Sequence, residues 1–397
     1  MPISVAGNGS TVYKSSEQYK VYHTFEDMGL KENLLRGIYS YGFEFPSEIQ
    51  KRAIVPVIQG RDVIVQSQSG TGKTCIFSVG ALEVCSGIKE RVPTVLIISP
   101  TRELAEQSEK VCTSIGDYLD VKAHSCVGGR KLKDDIKALQ GGVMIISGTP
   151  GRVHQMIEQG YLRTNKMKLL IIDEADEMFD YGFKAQIYDI YKYLPPKIQT
   201  VLVSATLPEE IIEMANKFMR NPLKILIPRE EVSLDKIKQF YVEVEEEKWK
   251  FETLCDLYDS LAITQSIIFC NTRTKVEWLS KRMLENHFTV SFVHGDLPQI
   301  SREEVLREFR EGKTRVLITT DLWGRGIDVQ QVNLVVNYDI PINKELYIHR
   351  IGRSGRFGRS GIAINLVTDE DEKMLSAIED FYSIRILKLP GNIQNLL

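Results

Sequence analysis

Short apolar runs alternate with longer amphipathic stretches along most of the chain. Predicted strands of the first half are residues 63–66, 95–99, 143–147, 169–173 and 201–204. Those of the second half are residues 266–270, 290–294, 315–319, 334–337 and 363–367. The intervening stretches with helical period include residues 103–115, 183–193, 275–286, 302–311 and 344–350. Buried strands joined by helices are typical of parallel sheets. The pattern therefore predicts an α/β fold with two doubly wound parallel-sheet domains in series.

A charged stretch with little apolar content, PREEVSLDKIK at residues 228–238, separates the two halves. We expect an N-terminal tail at 1–22, a first domain at 23–227, a flexible linker at 228–238 and a second domain at 239–397. The alternative is a surface loop within one large domain. Strand–helix alternation starts again after this stretch, which favours the linker.

Composition narrows the class of protein. The 397 residues include 50 Lys and Arg against 53 Asp and Glu, for a net charge of -3. This balance excludes a polybasic protein that holds nucleic acid by bulk attraction, although a local basic patch remains compatible with it. No apolar run approaches the ~20 residues of a membrane span, and the first residues lack a signal or transit pattern. We expect an intracellular protein with no membrane contact.

Cysteine and histidine positions bear on metal binding. The six cysteines occur singly, without a Cys-x-x-Cys pair, and the six histidines are scattered. Isolated cysteines within apolar runs are usually small buried hydrophobic residues. The sequence therefore predicts reduced thiols and no structural zinc.

A glycine-rich segment, SQSGTGKT at residues 67–74, follows one predicted strand and precedes an apolar helical run. Glycines in this context let backbone N–H groups surround phosphate oxygens at a helix N-terminus. Lys73 would reach the β- and γ-phosphates, and the Thr74 hydroxyl would bind Mg²⁺. Ser67 stands where Gly or Ala is usual and is small enough to fit. A plain glycine-rich turn is the alternative. The candidate nucleotide-binding residues are Ser69, Gly70, Thr71, Gly72, Lys73 and Thr74.

Carboxylates follow a buried strand about 100 residues further on. Asp173 is placed to hold Mg²⁺, largely through water, and Glu174 to orient and deprotonate a water molecule. Taken alone, the two could be a solvated loop or a helix cap, but the glycine-rich segment upstream favours catalysis. Ser204 and Thr206 end the next strand, where their hydroxyls could bond to the carboxylate cluster that includes Asp176 and link it to the second half.

The acidic segment reads Asp-Glu-Ala-Asp at 173–176, and the chain also contains Ser-Ala-Thr at 204–206 and HRIGRSGR at 349–356. Together with the glycine-rich segment, these motifs make the chain resemble a DEAD-box ATP-dependent RNA helicase. The resemblance covers nearly the whole chain from about residue 25. Within the family it is most similar to the eukaryotic translation initiation factor 4A group. It implies two tandem RecA-like domains, ATP and Mg²⁺ as cofactors, and single-stranded RNA or a short RNA duplex as a sequence-independent partner. Scaffold or initiation-factor-like proteins are further implied partners. The resemblance also leads us to expect a monomeric core that is cytoplasmic, with the nucleus as the alternative.

The resemblance also assigns residues of the first half. Phe25, Phe43 and Gln50 correspond to the adenine-binding motif, although core packing is the alternative for each aromatic ring. Phe45 departs from the charged residue common in the group. The corresponding RNA contacts would be made by Pro100, Thr101, Arg102, Gly128, Gly129, Thr149, Pro150 and Arg152.

In the second half, the same comparison assigns further RNA contacts to Asn271, Arg273, Gln299, Arg302 and Thr320. It assigns nucleotide contacts to Gly326 and Asp328, with Gly324 in place of the expected Ala. Arg353 and Arg356 would be arginine fingers that stabilise charge on the γ-phosphate, and His349 and Arg350 would couple the ligands. A basic surface loop is the alternative for this arginine-rich segment.

Three functions remain in competition. The first is an RNA-stimulated ATPase that locally unwinds short duplexes in translation initiation. The second is an ATP-gated RNA clamp that serves as an assembly platform in messenger or ribosomal RNA processing. The third is a phosphate-loop NTPase that acts on DNA or a small molecule, which Gln50 and the paired RNA motifs argue against.

Overall fold

The structure, a computed structural model, describes residues 3–6, 12–67, 71–226, 237–261, 263–321, 332–354 and 361–390. The chain divides into two compact units, Met1–Glu231 and Val232–Leu397. Most of the predicted linker 228–238 lies outside the described residues. Its last two residues, Ile237 and Lys238, begin a strand of the second unit. That end of the linker prediction is corrected, because both residues pair with the neighbouring strand.

The described part of the first unit contains a nine-stranded sheet in the order β1-β2-β9-β3-β8-β7-β4-β6-β5. Its strands are β1 Ile3–Ala6, β2 Val12–Ser15, β3 Val63–Gln66, β4 Val95–Ile98, β5 Ala123–Cys126, β6 Ile145–Gly148, β7 Leu169–Ile172, β8 Gln199–Ser204 and β9 Leu223–Leu226. Strands β3 to β9 are parallel, and β1 and β2 add an antiparallel edge. The five predicted strands are confirmed, with ends within two residues.

Helices cover both faces of this sheet. They are α1 Glu32–Ser40, α2 Gln50–Ile58, α3 Lys73–Cys85, α4 Arg102–Ile115, α5 Leu132–Gln140, α6 Pro150–Glu158, α7 Ala175–Asp180, α8 Lys184–Lys192 and α9 Glu209–Phe218, with short 3₁₀ turns at Glu26–Met28 and Gly116–Tyr118. Successive strand residues enter different cores: Ile97 packs in one cluster, whereas Leu96 and Ile98 pack in the other. Burial on both faces explains why the strands are continuous apolar runs.

The described part of the second unit holds a seven-stranded parallel sheet in the order β12-β13-β11-β14-β15-β10-β16. Its strands are β10 Ile237–Glu243, β11 Gln265–Phe269, β12 Val290–Val293, β13 Val316–Thr319, β14 Val332–Asn337, β15 Gly361–Val367 and β16 Leu387–Lys388. Its helices are α10 Lys250–Ser260, α11 Arg273–Glu285, α12 Gln299–Arg310, α13 Lys344–Ile351 and α14 Glu372–Tyr382, with a 3₁₀ turn at Glu247–Trp249. Each unit is a RecA-like domain, as predicted.

The sheet of the first unit brings the chemical motifs to one edge. Strand β8 lies between β3 and β7, and Gln66 pairs with Ser204 at the ends of β3 and β8. The glycine-rich segment, the acidic segment and the Ser-Ala-Thr segment therefore leave the sheet side by side. In doubly wound sheets, ligands bind at this carboxyl edge. Among the described residues, no helix combines the length and the apolar character that crossing a bilayer requires.

Candidate active site

Lys73 begins helix α3 and is buried at the carboxyl edge of the sheet. Its Nζ donates to the Ser67 carbonyl oxygen at 3.0 Å and lies 3.0 Å from Glu174 Oε1 and 3.1 Å from Oε2. Gly72, with φ of 89°, lets the chain turn into the helix at this point. Ser69 and Gly70 lie outside the described residues. The structure thus places the predicted phosphate-binding lysine against the predicted catalytic carboxylate.

Asp173 and Glu174 follow strand β7 and are both buried. Burial, together with the neighbouring Glu174 carboxylate, raises the pKa of Asp173 well above its usual 3.8, and Lys73 opposes this rise. Glu174 has a φ of 47°, in the left-handed region where a residue other than glycine is strained. A divalent cation would offset the charge that burial penalises at Asp173. A carboxylate and the Thr74 hydroxyl supply oxygen ligands of the kind that Mg²⁺ prefers.

The Ser-Ala-Thr segment is bonded to the acidic helix. Asp176 Oδ2 accepts a hydrogen bond from the Thr206 backbone N–H at 2.8 Å and another from the Thr206 hydroxyl at 2.7 Å. The Asp176 N–H donates to Ser204 Oγ at 3.2 Å. Asp176 is itself buried, so these bonds fix the segment that ends β8 against helix α7. The structure brings the three predicted coupling residues of the first unit together.

Gln50 contacts the phosphate loop directly. Its buried side chain donates through Nε2 to the Gly72 carbonyl oxygen at 3.1 Å, and its Oε1 accepts from the Ser47 N–H at 2.9 Å. The Ser47 hydroxyl donates to the Thr71 carbonyl oxygen at 2.8 Å. Ser47 was missed as a functional candidate; its only sequence signal is its place three residues before Gln50. The segment predicted to bind adenine is therefore hydrogen-bonded to the predicted phosphate loop.

The two aromatic candidates for adenine contact lie in different surroundings. Phe25 is fully buried in the core of the first unit, edge-on to Tyr39 at 6.2 Å between ring centroids. The structure therefore corrects the expectation that Phe25 contacts adenine, because its ring packs in the apolar core. Phe43 is half-buried and lies 5.0 Å from the Tyr41 ring, while Phe45 is exposed.

Arg102 packs against the two glycines predicted to approach RNA. A Cβ atom on Gly129 would lie 2.6 Å from Arg102 Nη1, and one on Gly128 would lie 3.4 Å from Nη2. Gly129 also has a φ of 85°. Gly129 therefore suits the turn by its backbone conformation, and both glycines leave room for the guanidinium. Thr101 precedes helix α4 and caps it, with its hydroxyl oxygen accepting from the Leu104 N–H at 3.3 Å, and Pro100 is buried beside it.

Arg152 is bound within the first unit. Its guanidinium donates to Asp135 Oδ2, and its Nη2 donates to the Arg130 carbonyl oxygen at 2.8 Å. Thr149 precedes helix α6, with its N–H bonded to the Cys126 carbonyl oxygen at 3.2 Å, and Pro150 takes the first helical position. Sequence reasoning missed Asp135, which lies in a charged helical stretch that gives no signal of a buried carboxylate. An RNA contact by Arg152 would have to share its guanidinium with this partner.

Arg350 is the centre of a buried polar network in the second unit. Its guanidinium forms a two-point contact with Asp321, with Nη2 to Oδ2 at 2.7 Å. Nη2 also donates to Asn271 Oδ1 at 2.7 Å, and Nη1 donates to the Asp339 carbonyl oxygen at 2.7 Å. Asp339 Oδ2 in turn accepts from the Asn271 N–H at 2.8 Å. The predicted coupling residue Arg350 thus meets the predicted RNA contact Asn271.

Sequence reasoning did not identify Asp321 or Asp339 as members of this network. Asp321 follows a strand, in the segment 319–328 that resembles a family motif for RNA and ATP contact, but the resemblance assigns it no role. Asp339 follows another strand and has no motif of its own. Their roles come from the parallel register that aligns the ends of β11, β13 and β14. One general rule could have pointed to both aspartates: polar residues that follow neighbouring parallel strands meet at one edge of the sheet.

The remaining candidates of the second unit have varied surroundings. Arg353 is buried, and its Nε donates to the His349 carbonyl oxygen at 3.0 Å. Thr320 and Arg302 are buried, whereas Arg273 is exposed and paired with Asp296 at 2.5 Å. Gln299 begins helix α12. The positions outside the described residues are Gly324, Gly326, Asp328 and Arg356.

A phosphate loop beside two strand-terminal carboxylates, on a RecA-like sheet followed by a second RecA-like domain, defines a two-domain nucleoside triphosphatase of the helicase type. Residues 47–214 match the DEAD/DEAH box helicase family, and residues 249–358 match the helicase conserved C-terminal domain. The chain belongs to the DEAD/DEAH box helicase family, which confirms the resemblance found in the sequence.

Individual relatives place it more closely. The chain is 58% identical to eukaryotic initiation factor 4A-3 of Nicotiana plumbaginifolia, over 97% of this chain and 98% of the relative. It is 56% identical to the ATP-dependent RNA helicase FAL1 of Mycosarcoma maydis, over 99% of this chain and 98% of the relative. These relatives confirm the predicted initiation factor 4A group.

Solved structures agree with this placement. S. cerevisiae Dbp5 bound to RNA and ADP BeF3 matches with a TM-score of 0.87 and 36% identity, over 93% of this chain and 96% of Dbp5. A DEAD box protein from the hyperthermophile Methanococcus jannaschii matches with a TM-score of 0.56 and 35% identity, over 93% of this chain and all of that protein.

Proposed function

We propose that the protein hydrolyses ATP in an RNA-stimulated manner and uses the reaction to separate short RNA duplexes locally. The observation that carries the proposal is the buried contact of Lys73 with Glu174, beside Asp173, at the end of strand β7. Membership of the DEAD/DEAH box helicase family supports it. The relative named ATP-dependent RNA helicase FAL1 and the Dbp5 complex with RNA and ADP BeF3 support both ligands.

The phosphates of ATP would compete with Glu174 for Lys73. Lys73 Nζ holds the Glu174 carboxylate at 3.0 Å, and a triphosphate carries more negative charge than one carboxylate. Transfer of the ammonium to the β- and γ-phosphates would release Glu174 to orient a water molecule and accept its proton. Asp173 and Thr74 would hold Mg²⁺, which supplies charge neutralisation at the phosphates when bound. In this scheme the binding of ATP itself frees Glu174 to act as the general base.

Gln50 and its neighbours would transmit adenine recognition to the phosphate loop. The Gln50 amide already bonds to Gly72, the residue before Lys73. A base held near this amide would therefore be sensed at the loop that receives the phosphates. Phe43 remains the aromatic candidate for contact with the base, because its ring is half-buried rather than enclosed.

RNA binding would use contacts to the sugar–phosphate backbone of the RNA. Arg102 with Gly128 and Gly129, together with the helix starts at Thr101 and Thr149, offers N–H groups, hydroxyls and one guanidinium. Such groups bind phosphates and sugars without reading bases, and contacts to 2′-hydroxyls distinguish RNA from DNA. In the second unit the proposed contacts are Asn271, Arg273, Gln299, Arg302 and Thr320.

Arg353 and Arg356 would stabilise negative charge on the γ-phosphate in the transition state, with Gly326 and Asp328 contacting the nucleotide. An arginine finger contributes ~10³–10⁵-fold to phosphoryl transfer. Arg356→Ala is expected to lower the turnover rate far more than the affinity for ATP. Equal losses of rate and affinity would indicate uniform binding and would remove Arg356 from this role.

We assign the activity to translation initiation, on the basis of the relatives named as initiation factor 4A proteins. The competing function is an ATP-gated RNA clamp that organises RNA-processing assemblies. It is compatible with the FAL1 relative, whose name gives RNA helicase activity without translation initiation. Scaffold proteins would hold the helicase in either case, and the site of action would be the cytoplasm for the first function and the nucleus for the second.

Two assays on the purified chain test the proposal. ATP turnover is measured with no nucleic acid, with single-stranded RNA and with DNA of the same sequence, and a short RNA duplex reports strand separation. We expect stimulation by RNA only, with strand separation that requires ATP. Equal turnover in all three conditions would contradict the proposal. Slow strand separation with long retention of RNA would favour the clamp.

A further inference from the structure

Three side chains of the first unit bring a nitrogen, a sulfur and a carboxylate oxygen together. His124 and Cys126 lie two residues apart on strand β5, so that both side chains lie on one face of the sheet. Asp135 lies in the first turn of helix α5. One ligand atom from each side chain lies within 4.8 Å of the others. His124 Nε2 and Asp135 Oδ1 are 3.0 Å apart.

We propose that His124, Cys126 and Asp135 form a divalent-cation site, for which Zn²⁺ has the matching chemistry. Imidazole, thiolate and carboxylate are the three ligand types that zinc takes in proteins. Magnesium and calcium are disfavoured, because both prefer oxygen ligands alone. The sequence predicted no such site, since Asp135 joins the histidine and the cysteine only through the fold.

The spacing of the cluster suits a small tetrahedral ion. Bonds of about 2.0–2.3 Å to zinc place the ligand atoms roughly 3–4 Å from one another. The histidine–aspartate pair already has this spacing, and the upper limit of 4.8 Å within the cluster leaves a small side-chain adjustment for the sulfur. Asp135 and Cys126 are buried, whereas one fifth of the His124 side chain is exposed and gives an ion a route from solvent.

Neighbouring groups would support these ligands. Asp135 is bonded through Oδ1 to His124 Nε2 and through Oδ2 to the Arg152 guanidinium, so an ion would replace the first contact and leave the second in place. Glu109 Oε1 lies 3.9 Å from Nδ1, the other ring nitrogen of His124. A carboxylate that accepts a hydrogen bond from a histidine ligand is a common support in zinc sites. Glu109 would take this place after a small side-chain movement, because 3.9 Å is longer than a hydrogen bond.

The charges also balance. A Cys126 thiolate, Asp135 and Glu109 together carry three negative charges against the single positive charge of Arg152, which matches one divalent ion. Formation of the sulfur–zinc bond requires loss of the thiol proton, which passes to solvent. Three protein ligands leave a fourth position for a water molecule.

The proposed site lies at the two ends of the loop that carries Gly128 and Gly129. Strand β5 ends just before this loop, and helix α5 begins just after it. An ion bound to both elements would hold the loop on which Arg102 packs. Zinc binding would therefore change the affinity of the chain for single-stranded RNA, a consequence that can be measured separately from the binding of the metal.

Cobalt(II) spectroscopy tests the site directly on the metal-free, full-length protein. One equivalent of Co²⁺ is expected to give a thiolate-to-cobalt charge-transfer band and strong visible d–d absorption, both of which Zn²⁺ removes. Cys126→Ser should abolish the charge-transfer band. Cys255→Ser is the matched control, because Cys255 lies outside the cluster and is only partly buried, and it should leave the band unchanged.

A second variant separates ligation from folding. His124→Gln leaves the Asp135–Arg152 contact in place and is expected to weaken cobalt binding by about tenfold or more. Circular dichroism of each variant reports whether it is folded. Absence of the charge-transfer band in the wild-type protein, or an unchanged band in folded Cys126→Ser, would overturn the proposal and leave the cluster as an ion-pair network. Unchanged cobalt affinity in His124→Gln would overturn the assigned ligand set.

Discussion

Lys73 and Glu174 form a buried ion pair at the carboxyl edge of the first sheet, with Nζ 3.0 Å from Oε1. The lysine comes from the phosphate loop and the glutamate from the acidic segment after strand β7, 101 positions apart in sequence. The pair joins the group proposed to bind phosphate to the group proposed to activate water. Replacement of this ion pair by a contact between Lys73 and the phosphates would link ATP binding to the chemical step.

Gly72→Ala tests the contact between Gln50 and the phosphate loop. The new Cβ would lie 2.3 Å from Gln50 Nε2, at a φ of 89° that already disfavours alanine. We expect ATP affinity to fall at least tenfold and the free energy of unfolding to fall by about 1–3 kcal/mol. Isothermal titration with ATP and denaturant unfolding measure the two effects.

Gly160→Ala is the matched control for this variant. Gly160 has a φ of 74° but no atom within 4 Å of the added Cβ, so it shares the backbone strain without the collision. It should lower the free energy of unfolding by a similar amount, about 1–3 kcal/mol, as expected from the backbone strain alone, and leave ATP affinity unchanged. Equal losses of affinity in both variants would show that the Gln50 contact does not position the loop.

Asp173→Asn tests the cost of burying a charge at the proposed metal site. The pKa of Asp173 is higher in the folded chain than in the unfolded chain, so its ionisation disfavours folding. This cost is absent below about pH 4 and grows as the pH rises toward the folded-state pKa. Near pH 7 the variant is therefore expected to be more stable than the wild type, although it loses ATP turnover.

Urea unfolding at several pH values, followed by circular dichroism, measures this difference. The advantage of the variant should shrink as the pH falls and vanish near pH 4. Asp117→Asn, at an exposed position of the same unit, should show no such trend. A variant less stable than the wild type at every pH would show that the Asp173 carboxylate stabilises the fold.

Thr206→Ala tests the link between the Ser-Ala-Thr segment and the acidic helix. The change removes the 2.7 Å hydroxyl bond to Asp176 Oδ2 and keeps the backbone bond. We expect ATP turnover within about threefold of the wild type but at least tenfold slower duplex separation, with a stability loss of about 1–3 kcal/mol. Thr113→Ala, at an exposed helical position, is the control. A proportional fall in both activities would argue against a coupling role.

Arg350→Lys tests the buried network of the second unit. Lysine keeps the charge but cannot reproduce the two-point contact with Asp321 or the bonds to Asn271 and the Asp339 carbonyl. Because hydrogen bonds that involve a charged group contribute about 1.5–3 kcal/mol each, the second unit should unfold at lower denaturant concentration. The three tryptophans of the chain, Trp249, Trp278 and Trp323, all lie in that unit, so tryptophan fluorescence follows its unfolding selectively.

Arg273→Lys is the control for the network. Arg273 is half exposed and pairs with Asp296, and exposed ion pairs contribute at most about 1 kcal/mol. The unfolding transition of Arg273→Lys, followed by tryptophan fluorescence, should stay close to that of the wild type. If both lysine variants unfold alike, the Arg350 network does not stabilise the second unit.

The sequence predicted the strands that are buried on both faces, because continuous apolar runs such as Leu169–Ile172 have few other structural uses. It did not predict β5 and β9, at Ala123–Cys126 and Leu223–Leu226. Their four residues mix buried and partly exposed positions, which leaves too short a pattern to separate from loop. In the fold, β5 pairs with β6, the next strand along the chain, and β9 pairs with β3, which is distant in sequence.

The residues of the candidate site likewise fall into those that the sequence could locate and those that it could not. Motifs with fixed local spacing, such as the segment around Lys73 and Asp173, could be located from sequence because the chemistry requires those residues at those positions. The partners that hold the arginines, Asp135 and Asp321, could not be located. Each is a single carboxylate whose role arises from tertiary contact with Arg152 or Arg350.

The most direct test of the account compares ATP turnover by the wild type and Glu174→Gln, each with and without single-stranded RNA. Glutamine keeps the shape of the side chain but cannot accept the proton of the attacking water. We predict RNA-stimulated turnover for the wild type, and loss of turnover for the variant with its binding of ATP and RNA retained. Turnover by Glu174→Gln at the wild-type rate, or wild-type turnover indifferent to RNA, would contradict the central claim.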